Sequence, residues 1–270
     1  MKVAAVVGRP IAHSLSPLIH TAWLEAAGIE GRYVALGPDT SGDFRALIES
    51  GDLIGCNVTA PYKGDAFDWA EAQGVRIGRE ARAAGSVNLL VLNGEGRADS
   101  TDGRGMIGAI RDQAPELDLT SGVSVVLGAG GAARAAVHAL RSEGAPDIRV
   151  VNRTLVKARD LAAGFDGGVS AWSLEDAAAA LDGSHLLINA ASTIDPPDLA
   201  PMRGGAVLDM TYRPLKTPLL AAARARGLTP VDGLAMLIGQ ARPSFEALFG
   251  APVPDLDVRA PCLTALEAGG

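Results

Sequence analysis

The chain has 270 residues, 48% of them hydrophobic and 20% charged, which excludes a disordered or fibrous protein and allows two modest domains. Its net charge of −7 argues against a nucleic-acid or anionic-membrane surface, because either would require a basic face. No apolar stretch approaches the ~20 residues of a membrane-spanning helix, and nothing resembles a targeting segment. The two cysteines, Cys56 and Cys262, have no metal-ligand spacing. We therefore expect a cytoplasmic protein without a metal site.

The first half of the chain alternates short apolar runs with amphipathic stretches, a pattern typical of βα units and a mainly parallel sheet. We predict strands at Val3–Val7, Tyr33–Leu36, Ile54–Val58 and Val87–Leu92, and helices at Pro17–Ala27, Ser41–Ser50 and Asp65–Gln73.

A second series of the same kind begins after the turn-like PELDLTSG segment (115–122). We predict strands at Val123–Leu127, Ile148–Val151, Leu186–Asn189 and Ala206–Met210, and helices at Ala132–Ser142, Leu155–Ala163 and Leu174–Leu181. The restart places a domain boundary near Gly103–Gly105. The fold class is therefore α/β with two α/β domains, of which the second is Rossmann-like.

A glycine-rich turn follows the first strand of the second series. In VSVVLGAGGAARAAVHAL (123–140), Gly128, Gly130 and Ala133 fit the G-x-G-x-x-G/A dinucleotide-binding pattern. Gly128 permits the tight turn, Gly130 lets the backbone approach a pyrophosphate, and the helix N-terminus offers N–H donors to phosphates. The predicted cofactor-binding segment of the turn is Gly128, Ala129, Gly130, Gly131 and Ala132. Arg134 is either structural or adjacent to the phosphates.

The end of the next strand predicts which dinucleotide binds. The Rossmann pattern places a ribose-binding acid about twenty residues after the glycines, but this chain has Asn152, Arg153 and Thr154 there, with Lys157 one turn further on. A carboxylate would repel a 2′-phosphate, whereas two cations and a hydroxyl would bind one. These four residues predict NADP rather than NAD.

Lys63 is one of only four lysines in a chain with twenty arginines. An ammonium can give up its proton under conditions in which a guanidinium stays charged, so a lysine can do acid/base chemistry. The NVTAPYK loop that ends at Lys63 follows a strand, which puts it at the carboxyl edge of the sheet, where open α/β sheets bind ligands. Three further stretches, HSLSP (13–17), SVN (86–88) and STDG (100–103), are predicted at strand ends. Together with the NVTAPYK loop they bring hydroxyls, an amide and an acid to that edge, namely Ser14, Ser16, Thr59, Asn88 and Asp102. Such a set suits a small polyhydroxylated ligand.

The sequence resembles the shikimate dehydrogenase family over nearly its whole length. Nine motifs occur in the family's order: PIAHSLSP, NVTAPYK, AGSVN, STDG, GAGGAAR, NRT, INAAS, DMTY and DGLAMLIGQA. The resemblance implies reversible reduction of 3-dehydroshikimate to shikimate by NADPH, a step of chorismate and aromatic amino-acid biosynthesis. It also implies a monomer or homodimer that binds its substrate in a cleft between the domains.

The resemblance assigns roles to particular residues. Lys63 and Asp102 would be the catalytic pair, with Lys63 as the proton donor. Ser14 and Ser16 would hold the carboxylate of shikimate, and Met210 and Gly233 would face the nicotinamide. In the family the helix after Gly233 returns to the first domain, so residues 1–103 and 238–270 would form the substrate-binding domain and 104–237 the NADP-binding domain. The remaining contacts to the substrate would come from Thr59, Asn88, Tyr212 and Gln240.

Five positions depart from the commonest family pattern, and Pro243 among them should kink or end its helix; the other four are Ser100, Leu89, Ala191 and Ala235. None removes a proposed catalytic group. They leave open a related substrate such as quinate or an amino analogue of shikimate.

A non-catalytic NADP-binding regulator of the same fold is a second reading, although such a protein needs neither Lys63 nor Asp102. A dehydrogenase of amino-acid or folate type is a third, and it does not need the paired Ser14 and Ser16.

Overall fold

A computed structural model describes residues 1–191 and 195–268 of the chain. The chain divides into two compact units: unit 1 comprises Met1–Asp102 and Ile238–Gly270, and unit 2 comprises Gly103–Leu237. Unit 1 is thus built from two separate parts of the chain. Ser192, the last residue of the INAAS motif, lies outside the described residues.

Unit 1 contains a five-stranded sheet in the order β2-β1-β3-β4-β5. Its strands are β1 (Lys2–Val7), β2 (Gly31–Leu36), β3 (Gly55–Val58), β4 (Leu89–Val91) and β5 (Arg97–Asp99). β1 pairs in parallel with β2 and β3, whereas β4 is antiparallel to both β3 and β5. Four described strands of this sheet therefore run in one direction and β4 runs against them. The carboxyl ends of β3 and β5 and the beginning of β4 meet at one edge.

The helices of unit 1 are α1 (Ser16–Ala26), α2 (Ser41–Glu49), α3 (Lys63–Ala72), α4 (Arg79–Ala84) and α11 (Arg259–Ala268). Side chains of α2, α3 and α4 pack with those of β1 and β3 in a core that is mainly aliphatic. Local sequence sets these boundaries: the Thr40 hydroxyl accepts a hydrogen bond from the Asp43 N–H and the Asp43 carboxylate accepts one from the Thr40 N–H, a capping box that starts α2.

Unit 2 contains a six-stranded, wholly parallel sheet in the order β11-β10-β9-β6-β7-β8. Its strands are β6 (Val123–Leu127), β7 (Asp147–Asn152), β8 (Val169–Ser173), β9 (Ser184–Asn189), β10 (Ala206–Asp209) and β11 (Thr229–Val231). Two apolar cores contain residues from alternate positions of these strands, as expected for a sheet with helices on both faces. The helices are α5 (Asp102–Gln113), α6 (Gly131–Ser142), α7 (Leu155–Ala162), α8 (Ala177–Leu181) and α9 (Pro218–Ala225). This is the predicted Rossmann-like, doubly wound architecture.

One long helix, α10 (Gly233–Phe249), contains Pro243 and does not end there. Proline removes one backbone hydrogen bond, and its ring contacts the carbonyl of the residue four positions earlier, which here is Gly239. Leu234 on one side of the proline and Phe245 on the other are both completely buried. Burial on both sides of Pro243 stabilises the helix. Of the two outcomes predicted for Pro243, a kink or an end, the structure excludes the end.

Two further expectations differ from the structure. The predicted helix Leu174–Leu181 begins only at Ala177, because the Ser173 hydroxyl and the Asp176 side chain and N–H hydrogen-bond one another and form a turn first. Asn88 lies just before the antiparallel strand β4 and not at a strand's carboxyl end. Because β4 runs against its neighbours, Asn88 still lies at the predicted edge.

No helix of the described part of the chain is both long enough and apolar enough to span a membrane. Within residues 1–191 and 195–268, no three His, Cys, Asp or Glu side chains are grouped as metal ligands would be.

Candidate active site

Lys63 and Asp102 form an ion pair at the carboxyl edge of the unit 1 sheet. Each is the first residue of a helix, Lys63 of α3 and Asp102 of α5. The Lys63 ammonium donates a hydrogen bond to Oδ2 of Asp102 at 2.5 Å. The Lys63 side chain is 24% exposed and that of Asp102 is 9% exposed. The lysine therefore reaches solvent from a pair whose carboxylate is buried.

Asn88 fixes the other oxygen of the same carboxylate. Its amide nitrogen donates to Oδ1 of Asp102 at 2.8 Å, and its amide oxygen accepts the Thr101 N–H, also at 2.8 Å. Because Asp102 requires a donor and the Thr101 N–H requires an acceptor, the nitrogen end of the Asn88 amide faces Asp102. The Asp102 carboxylate is thus held by an amide on one oxygen and by the Lys63 ammonium on the other. Val87 N–H donates to the Lys63 carbonyl, which ties the Asn88 loop to the start of α3.

Gln240, on α10, belongs to the same buried polar group. Its side-chain oxygen accepts from the Thr101 hydroxyl at 3.2 Å and lies 3.5 Å from the Asn88 amide nitrogen. Of the predicted substrate residues, Asn88 is therefore hydrogen-bonded directly to Asp102, and Gln240 is linked to Asp102 through Asn88. Ser14, Ser16 and Thr59 make no hydrogen bond to that pair within the described chain.

Ser14 and Thr59 lie in segments that follow two neighbouring parallel strands, β1 and β3, and Ser16 is the first residue of α1. Val7 of β1 is paired with Val58 of β3, so the segments that follow begin side by side. Ser14 Oγ accepts the Ser16 N–H at 3.3 Å as α1 starts. A helix N-terminus with two hydroxyls nearby favours an anion.

Three residues behind the pair were not predicted as functional. Asn57 donates to the Asn88 carbonyl at 3.1 Å and to the Ser244 hydroxyl at 2.8 Å, and it accepts from the Tyr33 hydroxyl at 2.7 Å. Asn57 is inside the NVTAPYK motif, which was a usable signal. Tyr33 and Ser244 had none, because their contacts come from β2 and α10, far away in sequence.

The glycine-rich turn of unit 2 has the geometry that its sequence predicts. Gly128 has φ +108°, a conformation that favours glycine, and a Cβ there would lie 3.2 Å from the Ala190 carbonyl oxygen. A Cβ on Gly130 would meet open space. Gly130 is the residue before α6, whose first residues are Gly131 and Ala132. The backbone beyond Ala129 is therefore open to a phosphate group at a helix N-terminus.

The predicted 2′-phosphate residues lie at the end of β7 and the start of α7. Asn152 donates to the Thr154 carbonyl at 2.9 Å, which shapes the turn. Arg153, Thr154 and Lys157 are exposed. Within the described residues neither cation is paired with a carboxylate, and the Thr154 hydroxyl does not cap its helix. Two free cations and a free hydroxyl fit a phosphate, and the donor set suits NADP.

Met210, Tyr212 and Gly233 belong to the part of unit 2 that follows β10 and β11. Met210 and Tyr212 are half-buried, and Gly233 is buried at the start of α10. A Cβ on Gly233 would lie 2.6 Å from the Met210 carbonyl oxygen. Gly233 is thus needed for the close approach of α10 to the Met210 loop.

The cysteines take no part in this chemistry. Burial raises the pKa of the Cys56 thiol to about 12 and that of Cys262 to about 11. A thiolate is the reactive form, so both are inert structural residues at neutral pH.

The doubly wound sheet of unit 2, with its glycine-rich turn before α6, defines the class of dinucleotide-dependent oxidoreductases. Two family descriptions match the chain, "Shikimate dehydrogenase substrate binding domain" over residues 6–90 and "Shikimate / quinate 5-dehydrogenase" over residues 112–197. The NADP(+) shikimate dehydrogenase of Caulobacter vibrioides is 44% identical, with 98% of this chain and 95% of the relative covered. That of Methylobacterium radiotolerans is 46% identical, with 92% and 91% covered.

A solved structure agrees. Shikimate 5-dehydrogenase from Thermus thermophilus, in complex with NADP(H) and shikimate, is 33% identical, covers 100% of both chains and gives a TM-score of 0.82. The chain belongs to the shikimate dehydrogenase family.

Proposed function

We propose that this protein catalyses the reversible reduction of 3-dehydroshikimate to shikimate with NADPH. The observation that carries the proposal is the ion pair between Lys63 and Asp102 in unit 1, with the Asp102 carboxylate held by Asn88. Reduction of a ketone builds negative charge on its oxygen, and a positioned proton donor must neutralise that charge. The Lys63 ammonium supplies the proton, and in the reverse direction the neutral amine takes it back.

Asp102 and Asn88 make Lys63 effective. The Asp102 carboxylate keeps the Lys63 ammonium in one orientation. Because Asp102 is buried, the carboxylate cannot rotate toward the solvent. Asn88 donates to that carboxylate, and Thr101 and Gln240 hold the Asn88 amide in turn. The three then act as a rigid support on which the proton donor is aligned.

Substrate recognition rests on a second set of residues. Ser14 and Ser16 bind the carboxylate of the substrate, because they place hydroxyls and N–H groups at the N-terminus of α1. The ring hydroxyls are contacted by Thr59, Asn88, Tyr212 and Gln240. Residues 1–103 and 238–270 are accordingly the substrate-binding domain.

Residues 104–237 are the NADP-binding domain in this proposal. When bound, the cofactor supplies or accepts the hydride. Gly128 through Ala132 hold its pyrophosphate, and Arg153, Thr154 and Lys157, with Asn152 shaping their turn, hold the 2′-phosphate. Met210 and Gly233 line the site of the nicotinamide. The cytoplasmic location and the choice between a monomer and a homodimer stay predictions.

The test is a panel of two substrates and two cofactors. Purified protein is assayed through the absorbance of the reduced nicotinamide, with shikimate or quinate as the alcohol and with NADP+ or NAD+ as the oxidant. We expect shikimate with NADP+ to give the highest kcat/KM of the four combinations. Quinate is the natural competitor, because one matching family description names both alcohols.

The other readings predict different results. A quinate or aminoshikimate enzyme would prefer that alcohol over shikimate. A non-catalytic regulator would bind NADP+ without reducing it in the presence of any alcohol, and that result would overturn the proposal.

A further inference from the structure

A buried polar pair lies at the carboxyl ends of two neighbouring strands in unit 2. Asn189 ends β9 and Asp209 ends β10, and the two residues are paired in register. Asn189 is 9% exposed and Asp209 only 2% exposed. The Asn189 amide nitrogen donates to Oδ1 of Asp209 at 3.2 Å.

The pair shapes the two loops that follow its strands. Ala191 N–H donates to the Asn189 side-chain oxygen at 3.1 Å, and Thr211 N–H donates to Oδ1 of Asp209 at 3.1 Å. The first loop packs against the glycine-rich turn, since Cβ of Ala191 would be 3.3 Å from a Cβ on Gly128. The second loop carries Met210. Both loops thus border the proposed cofactor site.

Asp209 also brings a charge to this position. Its Oδ1 accepts hydrogen bonds from two donors, the Asn189 amide and the Thr211 N–H. Among the residues that the structure describes, no lysine or arginine pairs with Asp209. A buried charge without a counter-ion is screened weakly, so its field extends to nearby ligands.

The strand order indicates which part of a dinucleotide lies closest to Asp209. In a doubly wound sheet the dinucleotide crosses the point where the strand order reverses, which here lies between β6 and β9. The glycine-rich turn and the 2′-phosphate residues follow β6 and β7, so they take the adenosine half. The nicotinamide half then falls on the side of β9 and β10, where Asp209 lies.

The nicotinamide ring carries a positive charge when oxidised and none when reduced. We propose that the Asp209 carboxylate, held at the end of β10 by Asn189 and the Thr211 N–H, favours binding of oxidised over reduced cofactor. This inference rests on the proposed function, because it requires a nicotinamide dinucleotide at this edge. Asp209 acts on the cofactor's charge, and Asn189 acts by positioning Asp209.

The test compares dissociation constants for the two cofactor forms in the Asp209→Asn variant. Asparagine has nearly the same shape and keeps an oxygen that can accept both hydrogen bonds, but it lacks the charge. NADPH binding is followed by its own fluorescence, and NADP+ binding by calorimetry. We expect the Kd for NADP+ to rise about three- to tenfold relative to that for NADPH.

Two further variants separate charge from shape. Asp166→Asn removes an exposed charge before β8, at the opposite edge of the sheet, and should leave both constants unchanged. Asn189→Ser keeps the charge and loosens the loops, so it should weaken both forms by a similar factor. If Asp209→Asn does not fold, as judged by its circular dichroism melting curve, Asp209→Ser replaces it with the same expectation.

Equal changes in both Kd values for the Asp209 variants, or no change in either, would overturn the inference. Failure of the wild-type protein to bind NADP+ or NADPH at all would instead overturn the proposed function. The two failures are therefore distinguishable in one set of titrations.

Discussion

Lys63 shows at the scale of one residue why lysine is used where arginine is otherwise preferred. Its ammonium lies 2.5 Å from Oδ2 of Asp102, which a guanidinium could also contact. A guanidinium, however, stays protonated under ordinary conditions. An arginine at this position would keep the ion pair and lose the proposed proton transfer.

Lys63→Arg should therefore lower kcat roughly 100- to 1,000-fold in shikimate oxidation, because general acid/base catalysis is worth about that much. KM should change by no more than about threefold, since the charge that faces the substrate is kept. Steady-state kinetics with NADP+ measures both. Lys216→Arg, at an exposed position of unit 2, is the matched control and should change neither. A Lys63→Arg enzyme with wild-type kcat would contradict the role of Lys63.

Substitution of Arg153 tests the preference for NADP+ over NAD+ most directly. Arg153→Ala should raise the Kd for NADP+ about tenfold or more while leaving that for NAD+ nearly unchanged, because only NADP+ carries the 2′-phosphate. Titration with both dinucleotides gives the comparison. Arg159→Ala, on α7 two residues beyond Lys157, should affect neither. Equal weakening of both dinucleotides would show that Arg153 does not read the phosphate.

The sequence predicts those residues of the candidate site that belong to a motif or can be recognised from the residues next to them. Lys63 was found as a rare lysine after a strand, and Gly128 and Arg153 by their spacing from β6. Tyr33 and Ser244 were missed, because nothing in the neighbouring sequence says that β2 and α10 meet at Asn57. Such contacts depend on the tertiary fold and not on local propensity.

Helix α3 shows at the scale of an element how the fold positions its first residue. Tyr62, just before Lys63, stacks on Phe44 with ring centroids 5.1 Å apart and an angle of 2°. Its hydroxyl donates to the Pro38 carbonyl at 2.6 Å. These contacts tie the start of α3 to α2 and to the loop after β2. The backbone position of Lys63 is therefore fixed by the contacts of Tyr62.

Removal of the two contacts should have graded effects on stability. Tyr62→Phe loses one hydrogen bond and should lower the free energy of unfolding by roughly 1 kcal/mol. Tyr62→Ala also loses the stacked ring and should cost roughly 3–5 kcal/mol. Urea unfolding followed by circular dichroism measures both. If the Phe variant lost as much as the Ala variant, the hydroxyl and not the ring would be the main anchor.

Apolar strands could be predicted from the sequence, whereas short polar elements could not. Strand β6 was predicted with its observed ends, because all its residues but Ser124 are apolar and β-forming. Strand β5 has only three residues, Arg97–Asp99, and helix α4 only six. Both depend on pairing and packing with neighbours and have too few residues for a periodic pattern. Helix α10 continues through Pro243 because burial of its side chains outweighs the free-energy cost of the proline. Local sequence does not show how much of the helix is buried.

At the scale of the whole molecule, unit 1 is assembled from Met1–Asp102 and Ile238–Gly270, with unit 2 inserted between them. The restart of the βα pattern predicts a domain boundary near Gly103–Gly105, and the two compact units divide after Asp102. The second boundary falls inside α10, where no turn or change of composition marks it. The prediction that the chain returns to the first domain after Gly233 rests on the family resemblance alone.

The stability of unit 1 should depend on pH through a histidine in its core. His20 is completely buried, with its ring stacked on Tyr33 at 4.0 Å and edge-on to Trp23 at 5.7 Å. Neither ring nitrogen has a hydrogen-bond partner within the described residues. Burial lowers the pKa of His20 from its ordinary value of 6.5 to about 3. The folded unit therefore keeps this ring neutral at pH values where the unfolded chain protonates it.

Because the unfolded chain binds the extra proton, stability present above pH 6.5 is lost as the pH falls toward 3. His20 should contribute a loss of roughly 1.4 kcal/mol per pH unit across that window. Urea unfolding at several pH values, followed by tryptophan fluorescence in a Trp172→Phe background, reports unit 1 alone, because Trp23 and Trp69 then remain. His20→Leu in the same background should show a slope shallower by that amount. Equal slopes would mean that the ring is protonated or solvated inside the folded unit.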